Sequence, residues 1–173
     1  MDKFYDCFKE ICRDYGCFND LNQISYDKDK EKFLCSCNTK RIDFDVFSDK
    51  YYGYPNPASV DTIMFDIDKK IYLIEFKNQN CSSIDNTKIK NKVTRTIDIL
   101  KDIAKKCNIK FNDYYLYVGI VYNDENKWKR GICSNTIQFG LEYFKERGLV
   151  KDIKTNDIKW FKRQYNRIKE NLL

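Results

Sequence analysis

The sequence contains no histidine among its 173 residues, and this absence removes several kinds of active site. Without imidazole there can be no Ser-His-Asp or Cys-His nucleophile pair, no histidine-ligated zinc and no histidine general base. Catalysis in this chain would therefore have to use carboxylates, lysine, tyrosine, cysteine or a metal ion held by oxygen ligands.

Long apolar segments and paired metal-binding cysteines are also missing. The longest apolar run, residues 114–122, is about half as long as a membrane span. The N-terminus carries scattered charges and no signal-peptide core, so we expect a soluble protein in the cytoplasm, or in the nucleus if the source is eukaryotic or viral. The eight cysteines include no C-x-x-C pair, and we expect reduced thiols that are mostly buried or incidental.

What the chain does contain is enough apolar surface for one folded domain. Hydrophobic residues make up 42% of the sequence and aromatic residues 16%, which argues against disorder even though 34% of residues are charged. The formal net charge is +6, and the excess of Lys and Arg is concentrated in the C-terminal half. This charge is compatible with a polyanionic partner, although a lysine-rich solvated surface has the same composition.

Hydrophobic periodicity predicts strands and helices in a single α/β domain. The clearest helix covers residues 86–106, where Ile89, Val93, Ile97, Leu100 and Ala104 follow one helical face. Residues 51–57 contain both prolines and are predicted to form a loop. Further helices are predicted over residues 3–15, from Ser134 or Asn135 to 147 and over 157–172, with strands over residues 33–35, 42–47, 60–65, 71–76 and 114–122.

Three charged residues stand out at the ends of two predicted strands. Glu75 and Lys77 differ by two positions and therefore project from the same face of a strand. Asp61 lies on the preceding strand of the predicted hairpin, which brings its carboxylate towards Glu75. Two converging carboxylates repel each other unless a cation lies between them. Oxygen ligands of this kind suit Mg²⁺ or Mn²⁺ and need no histidine.

These residues resemble the PD-(D/E)xK nuclease superfamily. Asp61 matches the motif's aspartate, Glu75 its second acid and Lys77 its lysine, whereas Val60 stands where the motif has proline. The resemblance implies a restriction-endonuclease-like fold, with an αβββαβ core over residues 1–122 and a mixed central sheet flanked by helices. Residues 123–173 are expected to add a basic, helical C-terminal extension to this single domain.

The resemblance also implies a reaction and a set of site residues. Asp61, Glu75 and the backbone carbonyl of Phe76 would hold Mg²⁺ or Mn²⁺, and Lys77 would position and deprotonate the attacking water. Glu10 matches an acid that many members place on the first helix, as a further metal or water ligand, and Gln79 is placed to contact substrate or water. The implied activity is hydrolysis of DNA, or less readily RNA, by an endonuclease, and many such nucleases form homodimers.

Contacts to the nucleic acid are expected on the helix after the motif. Lys88, Lys92 and Arg95 lie on one side of it and could meet phosphates, although a solvated helix face fits the same residues. Two other functions remain open at this point. One is a catalytically silent module with the nuclease fold that binds nucleic acid or protein, and the other is a protein-binding domain whose charges only confer solubility.

Overall fold

A computed structural model describes residues 2–53, 58–66, 68–79, 81–123 and 139–165 of the chain, and its centre is a mixed six-stranded sheet. The described strands are β1 (Phe18–Asp20), β2 (Tyr26–Asp27), β3 (Lys32–Phe33), β4 (Lys40–Asp43), β5 (Thr62–Asp66), β6 (Lys70–Lys77), β7 (Tyr115–Tyr122) and β8 (Asp152–Asp157). The order across the sheet is β1-β4-β5-β6-β7-β8, while β2 and β3 form a separate hairpin. The first four strands of the sheet pair antiparallel, and β6, β7 and β8 run parallel.

Helices cover both faces of this sheet. The described helices are α1 (Lys3–Asp14), α2 (Leu21–Ile24), α3 (Phe44–Tyr52), α4 (Asn86–Lys106), α5 (Glu142–Glu146) and α6 (Ile158–Tyr165). One apolar core contains Phe8, Phe47 and Val93, from α1, α3 and α4, together with the facing side chains of the strands. A second core on the opposite face includes Phe76 and Val121 beneath Phe161 of α6. Burial on both faces explains why β6 and β7 are nearly continuous apolar runs.

Most elements of the N-terminal two thirds agree with the sequence predictions. The predicted helix 86–106 matches α4, and all five residues of its apolar stripe are buried. The predicted strands 60–65, 71–76 and 114–122 correspond to β5, β6 and β7 with shifts of one or two residues at their ends. The predicted strand 33–35 is wrong beyond Phe33, because β3 ends at that residue. The predicted helix 3–15 corresponds to α1, and Gly16 follows it with a φ of +57°, as a helix-ending glycine does.

The prediction of a strand over residues 42–47 is wrong in its second half. β4 ends at Asp43, and α3 begins at Phe44. The Asp43 carboxylate accepts a hydrogen bond from the Val46 N–H and so acts as an N-cap, while Phe44 and Phe47 are both buried at helical spacing. Helix capping and this i, i+3 pair override the alternating pattern. Tyr51 and Tyr52 consequently lie in α3 and not in a loop, and residues 54–57 of that prediction lie outside the described residues.

The C-terminal extension is not only helical, which corrects another prediction. β8 pairs with β7 in parallel along six residue pairs and buries Ile153 and Thr155, so this segment completes the central sheet. A strand at the sheet edge buries few apolar side chains, and its sequence pattern is correspondingly weak. Of the predicted helix from Ser134 or Asn135 to residue 147, the described region contains only α5, Glu142–Glu146. Phe139 and Gly140 precede α5 with positive φ angles of 52° and 67°, and a right-handed helix cannot continue through such residues. Residues 134–138 and 166–172 of the predicted helices lie outside the described residues.

The expectation that the cysteines carry reduced thiols is wrong for one pair. A disulfide joins Cys7 of α1 to Cys107, the residue that follows α4, across a sequence separation of 100. Cys12, Cys17, Cys35 and Cys37 carry free thiols. In the part of the chain that the structure describes, no helix combines the length and the apolar character that crossing a membrane requires.

Candidate active site

Asp61 is held at the start of β5 by two helices. The backbone N–H of Val60 donates to the hydroxyl of the buried Thr96 on α4, at 3.0 Å. The carbonyl of Asp61 itself accepts from the N–H of Phe44, the first residue of α3, at 2.9 Å. These two backbone contacts fix the position from which the Asp61 side chain projects, which explains how a residue just outside the strand can be part of an ordered site.

Glu75 lies opposite Asp61 near the end of β6. The antiparallel ladder pairs Thr62 with Ile74, and continuing this register by one residue places Asp61 beside Glu75. The Glu75 side chain is only 1% exposed. One oxygen of the Asp61 carboxylate also accepts a hydrogen bond from the N–H of Phe76. Because a strand residue directs its N–H and C=O to the same neighbouring strand, the Phe76 carbonyl faces the side on which Asp61 lies.

Two lysines neutralise part of this acid pair. The Lys77 ammonium is 2.7 Å from Oε1 of Glu75. The Lys92 ammonium, from α4, is 2.8 Å from the same oxygen and 3.3 Å from Oδ1 of Asp61. Two converging carboxylates need a cation between them, and in this structure that cation is the ammonium of Lys92. The side chain that was predicted to meet phosphates is engaged inside the site.

A third carboxylate, Asp45 on α3, extends the acidic cluster. Its Oδ1 accepts from the Ser59 hydroxyl at 2.5 Å. Burial raises the pKa of Asp45 to about 6, and the Asp61 carboxylate adds to the rise. Burial likewise raises the pKa of Glu75 to about 7, with Asp61 adding to it and Lys92 and Lys77 opposing it. Carboxylates outnumber ammonium groups in this cluster, and it therefore favours keeping one proton near neutral pH.

The pKa of Lys92 is also raised, but for the opposite physical reason. Burial alone would lower its pKa, but the carboxylates of Asp61, Glu75 and Asp45 outweigh that effect and raise the pKa well above its ordinary value. The ammonium therefore stays charged throughout the neutral range. A permanently charged lysine can hold the two carboxylates of Asp61 and Glu75 together when nothing else is bound.

The raised pKa of Glu75 predicts how stability depends on pH. The folded state binds more protons than the unfolded state between the ordinary carboxyl value of 4.5 and about 7, so the free energy of unfolding should fall as pH rises through this interval. Asp45 contributes with the same sign. We expect a loss of about 2 kcal/mol between about pH 5 and pH 8, measured by urea denaturation. Stability that is constant or rises over this range would contradict the assignment.

A cavity of about 590 Å³ opens beside the acid pair. On one side it is lined by Asp61, Phe76 and Lys77, together with residues between β6 and α4. On the other side it is lined by Tyr26, Asp27, Lys28 and Asp29 of the β2–β3 hairpin. The Lys77 side chain is 26% exposed, so its ammonium can serve both Glu75 and a bound molecule.

The other residues expected in the site lie at varying distances from its centre. Gln79 and Lys88 line the cavity, and the Gln79 amide also donates to the carbonyl of Ser83 at 3.2 Å. The Arg95 guanidinium lies over the ring of Tyr52, 4.5 Å from its centroid. Glu10 is exposed on α1, on the side opposite the buried Phe8 and Cys12. Asp61, Lys77, Gln79 and Lys88 thus line one cavity. Glu75 and Lys92 do not line it but form ion pairs with Lys77 and Asp61, and no described contact adds Glu10 to the site.

The donor set at the centre fits a hard divalent cation in its chemistry. Asp61 and Glu75 supply carboxylate oxygens, and the Phe76 carbonyl faces the same region. Oε1 of Glu75 is buried and lies close to both ammonium groups, yet among the described residues no hydrogen bond of good geometry reaches it. Within the described ranges, no three carboxylates or thiols come together as a ready-made ligand group, so water or substrate oxygens would have to complete the coordination.

Several residues of the site were not predicted from the sequence. Asp45 was assigned to a strand. A helix could have been predicted here, because Asp43 is a typical N-cap residue and Phe44 and Phe47 follow it at helical spacing. Asn78 is buried next to the motif, and its side chain accepts from the Asn123 amide at 3.0 Å. The charged hairpin at residues 26–33 had no signal linking it to the motif, because that contact depends on tertiary structure alone.

Comparison with known proteins gave no assignment. The chain matches no protein-family model, no curated protein and no solved structure.

Proposed function

We propose that this protein is a metal-dependent nuclease that hydrolyses phosphodiester bonds of nucleic acid, with DNA favoured over RNA. The observation that carries the proposal is the convergence of Asp61 and Glu75 at the end of paired strands, with Lys77 on the same face and an open cavity beside them. The elements α1, β4, β5, β6, α4 and β7 occur in the order of the αβββαβ core that the resemblance implies, and this supports a restriction-endonuclease-like fold. The chain adds β1, α2, β2 and β3 between α1 and β4, and α3 between β4 and β5.

Each residue of the proposed site has a defined task. Asp61, Glu75 and the Phe76 carbonyl would hold Mg²⁺ or Mn²⁺, which when bound lowers the pKa of water and stabilises negative charge on a phosphoryl group. Lys77 places a positive charge at the mouth of the cavity, where it can orient the attacking water and stabilise charge that develops in the transition state. Lys88, exposed on the first turns of α4, can contact a neighbouring phosphate.

A second candidate function follows from Lys92. Its ammonium lies between the two carboxylates and offsets part of their charge, where a metal ion would otherwise lie. A protein with such a site could bind nucleic acid without cutting it. This alternative predicts binding that weakens steeply with salt and no cleavage with either metal.

The experiment that separates the two candidates is a cleavage panel. Linear, branched and single-stranded DNA and RNA are incubated with the protein in Mg²⁺, Mn²⁺ or EDTA. We expect cleavage of at least one substrate with a metal and none in EDTA. Asp61→Asn should abolish cleavage, whereas Asp98→Asn, which changes an exposed aspartate on α4, should leave it intact. Cleavage that survives Asp61→Asn would place the activity elsewhere.

A further inference from the structure

The β2–β3 hairpin, residues 26–33, is fastened over one side of the proposed site. Tyr26 pairs with Phe33 and Asp27 with Lys32, and the two aromatic rings lie 4.7 Å apart. The Asp27 carboxylate accepts from the backbone N–H groups of Asp29 and Lys30, at 3.0 and 3.2 Å, which orders the turn. From that turn the Lys30 ammonium donates to the carbonyl of Asn78, immediately after the motif strand. The hairpin is therefore attached at its tip to the end of β6.

This attachment makes the site a cavity with two walls. One wall is the end of β6 and the start of α4, and the other is the hairpin. Its volume of about 590 Å³ is that of a pocket for a small organic ligand. Such a space accommodates one or two nucleotides of an extended strand, whereas a double helix, with two backbones and paired bases, does not fit inside it.

The chemistry of the two walls differs in a way that suits a single strand. Lys77 and Lys88 line the wall that contains Asp61 and Asp85, and they can contact phosphates. Tyr26 lines the opposite wall and is 37% exposed, so its ring is accessible to an unpaired base. Asp27 and Asp29 lie on that same wall with Lys28 between them, and the excess negative charge of this segment disfavours a second phosphate backbone. A single strand presents phosphates on one side and bases on the other, and it matches both walls.

We propose that the substrate of this site is a single-stranded nucleic acid, held between the β2–β3 hairpin and the end of β6 with a base against Tyr26. The proposal rests on the proposed nuclease function and names its substrate class. DNA and RNA strands share the features that the cavity recognises, namely a phosphate backbone and unpaired bases.

The test compares one sequence as a single strand and as a duplex, in DNA and RNA forms. Cleavage rates are measured for all four with Mg²⁺ and Mn²⁺, and we expect kcat/KM for a single strand to exceed that of its duplex at least about 100-fold. Binding is measured separately by fluorescence anisotropy with Asp61→Asn, which should not cut. Single strands should bind at least about tenfold more tightly than duplex.

The two measurements keep the two proposals apart. Cleavage of duplex at a rate equal to or above that of single strands would overturn the single-strand proposal and leave the nuclease function intact. If no substrate is cut, the nuclease function fails, and the binding comparison then decides whether the cavity selects single strands. Equal or tighter binding of duplex would overturn the inference in that case.

Tyr26 gives the proposal a residue-level test. Tyr26→Ala should raise KM for a single strand about tenfold with little change in kcat, because a stacked base loses its partner. Tyr26→Phe keeps the ring and should behave as wild type. Phe33→Ala alters the neighbouring ring of the same hairpin, which is 52% exposed and does not line the cavity, and it should leave KM unchanged. Equal effects of Tyr26→Ala and Phe33→Ala would show that the hairpin acts only as a scaffold.

Discussion

Replacing Glu75 by glutamine is expected to reduce the cleavage rate at least about 10³-fold and, at the same time, to make the protein more stable at about pH 8. The two effects have one cause. The Glu75 carboxylate is buried beside Asp61, and its raised pKa of about 7 means that ionisation costs free energy in the folded protein. Glutamine keeps the shape of the side chain and removes both the charge that is proposed to bind the metal ion and that cost.

The stability of Glu75→Gln should resemble that of wild type at low pH. At about pH 5 the wild-type cluster carries a proton, and glutamine supplies the same neutral group at every pH. We expect a gain of about 2 kcal/mol in the free energy of unfolding at about pH 8 and a small difference at about pH 5. Urea denaturation at both pH values, together with single-turnover cleavage, measures the two effects on the same protein.

A matched control for this substitution is Glu146→Gln, which makes the same change at an exposed position of α5. For this control, the free energy of unfolding and the activation free energy of cleavage should each change by less than about 0.5 kcal/mol. If Glu75→Gln destabilised the protein, the carboxylate would be a structural ion-pair partner and not a strained functional group. If it were stable and fully active, Glu75 would have no part in the reaction.

The sequence predicted the local features of this site because they depend on strand geometry. Period-two spacing placed Glu75 and Lys77 on one face of a strand, and the hairpin placed Asp61 opposite them. Both are shown by the β5–β6 register and by the ion pair between Glu75 and Lys77. The long helix α4 was also predicted in full, since its apolar stripe from Ile89 to Ala104 continues over about four turns.

Features that depend on distant contacts could not be predicted in the same way. A charged side chain on an amphipathic helix faces solvent in most proteins, and nothing in the spacing of Lys92 distinguished it from Lys88. Only the packing of α4 against β5 and β6 decides that Lys92 enters the site and Lys88 stays exposed. The strand β8 escaped prediction for a related reason, because its pairing with β7 is set by the sheet edge and not by a strong local pattern.

The second prediction with a large expected effect concerns the contribution of Lys92 to stability. Lys92→Met should lower the free energy of unfolding by about 3 kcal/mol at about pH 8, because it removes the positive charge that lies between the buried Glu75 carboxylate and the largely buried Asp61 carboxylate. The loss should be smaller at about pH 5, where the cluster already binds a proton. Lys88→Met removes an exposed lysine one helical turn earlier and should change stability by less than about 0.5 kcal/mol.

The pairing of Lys92 with Glu75 can be isolated by a double-mutant cycle. Combining Lys92→Met with Glu75→Gln removes both opposing charges, so the double variant should be more stable than Lys92→Met alone, with a coupling of about 1 to 3 kcal/mol. Excess Mn²⁺ should restore stability to Lys92→Met and not to the double variant, because a metal can replace the lysine only where the Glu75 carboxylate remains. Additive losses and no response to Mn²⁺ would show that Lys92 neither holds the acid pair together nor occupies the place of a metal ion.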